Sequence, residues 1–252
     1  MTALLLAGRR PGIDPLAASR GVELKALIPI AGVPMVGRVA ETLLACPKVG
    51  SIRVLTQDRD PIAAVLPDDE RIAVLRSGDG IARSIAAVAG SAEASWPILV
   101  TTADHVLLTP VTVAAFLEAA AGADVAVGVV ERRVVERRFP RTRRTWLRFR
   151  GGDWTGANLF WLAGPAALPL IATWSAIEQD RKKGWKLVTR FGPVLLLRAL
   201  TRTISLEAAV ARAGARFGAK VRMVSLADPL AAVDVDKPDD LTLAEAVLED
   251  RA

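Results

Sequence analysis

The feature that most constrains the fold is a regular alternation of short apolar segments with segments of helical spacing over the first 130 residues. The apolar, strand-like segments are 3–7, 51–56, 72–75, 97–101 and 124–130. The segments with helical spacing are 34–45, 81–88 and 111–120, the last preceded by a capping Thr109 and Pro110. Because parallel strands need a long crossover between them, this order predicts an α/β, Rossmann-like, doubly wound and mostly parallel sheet.

The alternation changes after residue 130, although no repeat or low-complexity linker divides the chain. We therefore expect a single domain over 1–252 with two added parts. These are a basic insert at 131–150 and a helical subregion at 165–214. Strand signals return at 221–225 and 232–235, and a last helix is expected at 238–248.

One stretch, 154–177, carries no formal charge and is nominally long enough to span a bilayer. It is interrupted by glycine and proline at Gly156, Gly164, Pro165 and Pro169. We interpret it as a buried strand at 158–162, a turn and a helix.

Positive charge is concentrated in two segments. The chain has a formal net charge of +6. Residues 131–150 hold nine arginines against two glutamates, and 181–202 hold seven Lys and Arg with no acid, so the remainder is net acidic. Such patches attract phosphates, nucleic acid or an anionic membrane, although a solvated arginine face also explains them. Five of the six tryptophans fall between Trp146 and Trp185, which suits a membrane interface or a packed core equally well.

The single cysteine, Cys46, excludes a disulfide framework and is typical of a reducing compartment. The first eight residues lack a basic segment, and their apolar run is too short for a secretory leader. We expect a cytoplasmic protein with peripheral membrane contact as an open alternative.

Ligands of open parallel sheets bind beyond the carboxyl ends of the strands, so the residues at those positions are candidates. A glycine turn with arginine, suited to approach a phosphate, follows the first strand at Gly8, Arg9 and Gly12. Lys25 lies among apolar residues, where it either meets phosphates or only buries its aliphatic stem. The turn at 77–84 leads into a helix whose free N–H groups suit a base or phosphate, with an ordinary turn as the alternative.

Carboxylates follow two later strand signals. Asp104, after Thr101 and Thr102, is well placed for Mg²⁺. Asp234 and Asp236 lie two residues apart, on one face if 232–235 is a strand. Asp239 and Asp240, in a first helical turn, are better explained as capping residues. The single histidine, His105, is interpreted as a structural neighbour.

Five pieces together resemble a known family. They are 5–9, Lys25 with 26–35, 102–104, 156–158 and 234–241. In this order they are similar to the nucleotidyltransferases of the glycosyltransferase-A-like fold, and most similar to the branch of the molybdenum-cofactor guanylyl- and cytidylyltransferases. The resemblance implies Mg²⁺-dependent transfer of a nucleoside monophosphate from an NTP to a phosphorylated acceptor, with release of pyrophosphate.

The resemblance also implies roles for individual residues. The catalytic set is Lys25, Arg9 and Asp104. The nucleotide-binding set is Leu6, Ala7, Gly8, Gly12, Lys25, Ser77, Gly78, Gly80, Ser84 and Thr102. The metal ligands are Asp104 and either Asp236 or Asp234, and Gly156 and Asn158 lie near the acceptor.

The acceptor is expected to be anionic and partly apolar, such as a lipid head-group precursor or a polyol phosphate. As the nucleotide donor, CTP is favoured over GTP. Arg141, Arg143 and Arg144 of the insert are expected to bind its phosphate. Two alternatives stay open: a sugar-nucleotide-dependent glycosyltransferase, and a non-catalytic module that binds a membrane or nucleic acid. The first is disfavoured because position 106, two residues after Asp104, is not the second aspartate of an Asp-x-Asp motif. The carboxylates beside the basic segments argue against nucleic acid, and the oligomeric state stays open.

Overall fold

The structure, a computed structural model, describes residues 1–9, 12–78, 80–179 and 191–250. Within these residues the main sheet has eight strands, and a separate two-stranded ribbon pairs β2 with β3. The strands are β1 Thr2–Leu6, β2 Pro29–Ile30, β3 Val33–Pro34, β4 Ser51–Thr56, β5 Ile72–Arg76, β6 Ile98–Thr102, β7 Val125–Glu131, β8 Leu147–Phe149, β9 Gly152–Leu162 and β10 Val221–Leu226.

Helices follow most of these strands, and those at 35–44, 81–88, 110–120 and 238–249 match helices predicted from the sequence. They are α1 Pro15–Ser19, α2 Met35–Leu44, α3 Arg59–Ala63, α4 Ile81–Val88, α5 Pro110–Ala120, α6 Arg132–Arg138, α7 Leu168–Gln179, α8 Pro193–Leu200, α9 Leu206–Ala215 and α10 Pro238–Glu249. Short 3₁₀ turns cover Lys25–Leu27, Pro165–Ala167 and Pro229–Ala232. The predicted cap of α5 is present, since the Thr109 hydroxyl accepts from Thr112 N and Pro110 begins the helix.

The sheet runs in the order β10-β7-β9-β6-β1-β4-β5, with β8 paired to β9. The pairs β1–β4, β1–β6, β4–β5 and β7–β10 are parallel. This confirms the predicted doubly wound, mostly parallel α/β sheet. The interior strand β1 is buried on both faces, since its neighbouring residues Leu4 and Leu5 are both at 0% exposure, so helices must cover both faces of the sheet.

The antiparallel strand β9 lies between β6 and β7 and contains the uncharged segment at 158–162. A bulge displaces its register between Val127 and Val129 of β7, and Asn158 there has a φ of 47°. Asparagine tolerates this left-handed conformation better than most residues. Within the described residues no helix combines the length and apolar character that a bilayer crossing needs.

One strand prediction is wrong. Residues 229–232 form a 3₁₀ turn, and 233–237 have no regular structure. The alternation is real, because Val233 and Val235 are both fully buried. However, Asp228 caps the turn by accepting from Leu230 N, and the extended residues that follow join no strand of the sheet.

Candidate active site

Four parallel strands bring their carboxyl ends to one edge of the sheet. Backbone hydrogen bonds tie the segments that follow them: Ala103 N to Leu6 O at 2.9 Å, Ala7 N to Leu55 O at 2.9 Å and Ser77 N to Thr56 O at 2.8 Å. The candidate segments after β1, β4, β5 and β6 therefore lie side by side, where an open α/β sheet binds ligands.

Lys25 joins two carboxylates at this edge. Its Nζ donates to Asp104 Oδ2 at 2.7 Å and also to Asp236 Oδ1. The other oxygen of Asp104 accepts from Thr102 Oγ1 at 2.5 Å. Val235 N donates to the backbone oxygen of Asp104 at 3.0 Å, which holds the C-terminal loop beside β6. Lys25 therefore contacts both carboxylates and is more than a buried aliphatic stem.

The lysine and Asp104 keep each other charged. Burial alone lowers the pKa of Lys25, but Asp104 and Asp236 outweigh it and the pKa is raised above its usual value. Burial likewise favours a neutral Asp104, yet Lys25 and then Thr102 overcome it and hold its pKa below the usual range. At neutral pH the site therefore holds a charged, partly buried ion pair.

Asp234 has a different partner. It pairs with Arg144, whose Nη2 also lies 3.1 Å from Asp240 Oδ1. The Arg144 side chain is only 8% exposed. Burial raises the pKa of Asp234, and Arg144 opposes this only in part. Asp240 caps α10 as expected, because its Oδ2 accepts from Lys237 N at 3.1 Å.

This pairing distinguishes Arg144 from Arg141 and Arg143, the other two arginines that are expected to bind the acceptor phosphate. Arg144 is buried and its guanidinium is engaged by two carboxylates, whereas Arg141 and Arg143 are exposed. Arg144 ties the insert to the C-terminal loop. The sequence alone does not separate Arg144 from the other two arginines, because its partners Asp234 and Asp240 lie about 90 residues away along the chain. No local pattern predicts a contact over that distance.

The donor set suits a magnesium ion. Asp104 and Asp236 reach one ammonium group, so their oxygens converge as two ligands of a single cation would. Among the described residues no group of three or more His, Cys, Asp or Glu could hold a metal. Mg²⁺ commonly binds through one or two carboxylates with substrate phosphates and water, so two are sufficient.

The turn after β1 rests on a residue that the sequence did not single out, Gln57. A Cβ on Gly8 would lie 3.1 Å from Gln57 Oε1, and that oxygen accepts from Arg9 N at 2.9 Å. Arg9 Nε lies 3.3 Å from Asp58 Oδ2. Gly12 is exposed with a φ of 101°. Arg10 and Pro11, between them, lie outside the described residues.

The turn into α4 is already occupied by an acid. Glu178 of α7 accepts from Ile81 N at 3.1 Å and from Ala82 N at 3.2 Å. The sequence predicts free amides at this turn, whereas these two already donate to a carboxylate. Ser84, 5% exposed, donates its hydroxyl to Gly80 O at 2.7 Å and stabilises the turn. Glu178 was missed, although it is the first charge after the uncharged segment 154–177.

The predicted acceptor residues on β9 lie close to this edge. Val100 of β6 is opposite Phe160 of β9, the last pair that these two strands form, and Asn158 lies two residues before Phe160, in the irregular part of β9. Gly156 is exposed and lies opposite Val129. Asn158 therefore lies beside the strand that leads to Asp104.

The basic insert is only partly neutralised. Arg132 pairs with Glu136 and Asp153, and Arg133 pairs with Glu131. Together with Arg144 these account for three of its nine arginines. The other six are exposed and form no ion pair with a described residue: Arg137, Arg138, Arg141, Arg143, Arg148 and Arg150. Of the second basic segment, 181–190 lies outside the described residues.

The fold and this edge define a class, namely an α/β protein whose strand ends carry a glycine turn, a lysine and convergent carboxylates suited to nucleotide phosphates. The sequence matches the model of the family described as MobA-like NTP transferase domain over residues 5–217. The chain therefore belongs to the MobA-like NTP transferases, and it is an enzyme of the nucleotidyltransferase type, which confirms the family resemblance.

Several solved structures share this architecture. A hypothetical transferase from Thermus thermophilus is 31% identical, with a TM-score of 0.79 over 95% of this chain and 98% of that chain. The 4-diphosphocytidyl-2C-methyl-D-erythritol synthase of Anaerococcus prevotii is 10% identical, with a TM-score of 0.59 over 98% and 97%. A CMP:2-keto-3-deoxy-manno-octonic acid synthetase complexed with CTP is 14% identical, with a TM-score of 0.59 over 100% of both chains. No curated protein sequence matches the chain.

Proposed function

We propose that this enzyme transfers a nucleoside monophosphate from CTP to a phosphorylated small-molecule or lipid-precursor acceptor and releases pyrophosphate. The observation that carries the proposal is the convergence of Lys25, Asp104 and Asp236 beyond the ends of β1 and β6. One cation and two carboxylates at a strand edge are the groups that a triphosphate with its metal requires.

The reaction joins two anions and makes few demands on side-chain chemistry. An oxygen of the acceptor phosphate attacks the α-phosphorus of the NTP, and the bond from that phosphorus to the bridging oxygen of the departing pyrophosphate breaks. Because the acceptor phosphate is already ionised at neutral pH, no general base is needed. The site must align the two reactants and neutralise their charge.

Each candidate residue has a defined part in that alignment. Lys25, kept charged by its carboxylate neighbours, neutralises negative charge that develops on the triphosphate. The backbone at Gly8 and Arg9 borders the phosphates, and the Arg9 guanidinium, paired with Asp58 but 57% exposed, is accessible to them. Asp104 and Asp236 would hold Mg²⁺, which when bound shields the phosphates and orients them for attack.

Asp236 is the better candidate for the second ligand. It shares Lys25 with Asp104, whereas Asp234 is paired with Arg144. We therefore propose Asp104 and Asp236 as the metal pair and Asp234 as an anchor for the insert.

Acceptor binding falls to the exposed side of the same edge. Asn158 and Gly156 lie on β9 next to β6, and Arg141 and Arg143 are exposed on the insert. Guanidinium groups fork onto phosphate oxygens, so these two arginines suit a phosphorylated acceptor. The preference for CTP is supported by the cytidine nucleotides named for the structural relatives.

The test is a pyrophosphate-release assay of the four NTPs, each with Mg²⁺, against a panel of polyol and sugar phosphates. We expect release with CTP and at least one acceptor, and loss of release when Mg²⁺ is chelated. Release with GTP alone would overturn the base preference. No release with any NTP would overturn the proposed reaction.

A further inference from the structure

Helix α8 carries an exposed apolar face that the proposed reaction does not use. Val194, Leu197 and Leu200 are 69%, 60% and 82% exposed, and their spacing of three residues keeps them on one side of the helix. They line a shallow groove with Pro193 and Leu196, and all five lining residues are apolar. We call these five residues the α8 face. A contiguous exposed apolar surface of this kind marks an interaction site.

Positive charge surrounds the α8 face. Arg198 lies on the helix and Arg202 follows it, while Arg212 of α9 and Arg216, directly after α9, line the adjoining groove. None of these four arginines forms an ion pair with a described residue.

The basic insert reaches the same neighbourhood. Arg150 N, in the turn between β8 and β9, donates to Ile204 O at 3.0 Å, four residues after α8 ends. The adjacent Leu147 is 47% exposed, and Arg148 and Arg150 are exposed as well. The β8–β9 turn, with its exposed apolar and cationic side chains, therefore lies beside the segment that follows α8.

We propose that the α8 face docks on a lipid bilayer that contains anionic headgroups. Val194, Leu197 and Leu200 enter the boundary between headgroups and acyl chains, and the surrounding arginines meet lipid phosphates. Interfacial helices bind by this combination of an apolar side and a cationic rim. The proposal does not depend on which nucleotide or acceptor the enzyme uses.

The charge distribution favours a membrane over two other partners. A second copy packed symmetrically on this face would bring the same arginines together without acids to pair them. Nucleic acid would satisfy the arginines but would leave the aliphatic side chains without an apolar partner. A bilayer with anionic lipids satisfies both.

The test is co-sedimentation of the purified full chain with vesicles, without nucleotide or acceptor. Vesicles of phosphatidylcholine with about one third phosphatidylglycerol should bind the protein at least about tenfold more tightly than pure phosphatidylcholine, and high salt should weaken binding. Substituting Val194→Gln, Leu197→Gln and Leu200→Gln together should weaken it on the order of 100-fold. Replacing Arg212→Gln and Arg216→Gln should weaken it by about fivefold per residue and reduce the salt effect.

A matched control separates this face from general surface hydrophobicity. Val111 of α5 is 78% exposed, close to the 82% of Leu200, so Val111→Gln should leave vesicle binding unchanged while Leu200→Gln weakens it severalfold. If the triple variant fails to fold, this single pair decides. The proposal is overturned if the wild-type chain does not bind anionic vesicles, or if Leu200→Gln and Val111→Gln change vesicle binding to the same extent. It is equally overturned if the α8 variants abolish self-association and leave vesicle binding intact.

Discussion

At the scale of single residues, Asp104 is the position on which the proposed chemistry most depends. It contacts Lys25 and Thr102 and shares the lysine with Asp236. Asp104→Asn keeps the shape of the side chain but removes its charge. We expect kcat to fall about 100-fold or more, because a metal-binding carboxylate acts chiefly in the transition state. The chain should still fold, but with a lower melting temperature, because Lys25 loses Asp104 and keeps only Asp236 as a carboxylate partner.

The control for that variant lies near its partner. Asp239 is exposed in the first turn of α10, and Asp239→Asn should retain wild-type turnover. Rates of Asp104→Asn close to wild type, measured at saturating Mg²⁺, would contradict the metal assignment.

Lys25 links activity to stability. Lys25→Ala should lower kcat more than it raises the acceptor KM, because charge on the leaving group grows during transfer. It should also lower the free energy of unfolding at neutral pH by about 2–4 kcal/mol, since the largely buried Asp104 and the half-exposed Asp236 lose their cation. An exposed lysine, Lys48→Ala, serves as the control. A loss of stability with unchanged kcat would leave Lys25 only a structural role.

The pH dependence of that loss has a definite sign. In the wild-type chain the folded pKa of Asp104 lies below its usual value, so the ionised group stabilises above that value and the stabilisation is lost as pH falls through the folded pKa. Without Lys25 burial prevails, and the folded pKa rises above the unfolded one. The stability difference between wild type and Lys25→Ala should therefore shrink as the pH falls from the raised folded pKa of the variant, above about 4, toward the lowered folded pKa of the wild type. Melting curves across this range measure it, and a constant difference would contradict the coupling.

At the scale of elements, Glu178 connects α7 to the first turn of α4. It accepts from two backbone amides that otherwise lack helical partners. Glu178→Ala should cost about 1 kcal/mol, or a fall of about 2–4 °C in melting temperature. Glu118→Ala, at an exposed position of α5, should be neutral. Equal melting temperatures for the two variants would contradict the capping role.

The insert separates into an anchor and a binding surface. Arg141→Gln with Arg143→Gln should raise the acceptor KM about tenfold or more and leave the NTP KM nearly unchanged, because both arginines are exposed and unpaired. Arg144→Gln should instead reduce stability, because it leaves Asp234 and Asp240 without a cation. An unchanged acceptor KM in the double variant would show that these two arginines are only solvated surface residues and do not bind the acceptor.

Local pattern predicted the elements well and their contacts poorly. The segments Ser51–Thr56 and Ile81–Val88 have the bounds that periodicity predicts, since apolar spacing and Gly80 define them locally. Residues 232–235 alternate like a strand, but pairing depends on neighbours that no local pattern specifies. Glu178 and Arg144 act on partners about 90 residues away. The candidate site was found because strand ends in a parallel sheet share one edge.

At the scale of the whole molecule, the sheet order separates two tasks. The ends of β1, β4, β5 and β6 form the edge at which we propose nucleotide binding, and β9 brings Asn158 beside it. Helices α8 and α9 and the β8–β9 turn carry the exposed apolar and cationic surface. Vesicle binding and turnover should therefore respond to different substitutions.

The most direct test of the account follows the phosphates of CTP in the presence of the acceptor found by the pyrophosphate assay. With label at the α-phosphate, the account predicts that label appears in the acceptor product. With label at the γ-phosphate, it predicts that label appears in pyrophosphate, and that Asp104→Asn abolishes both transfers. Label moving from the γ-phosphate to the acceptor, or an acceptor modified only by a sugar nucleotide with no pyrophosphate formed, would contradict it.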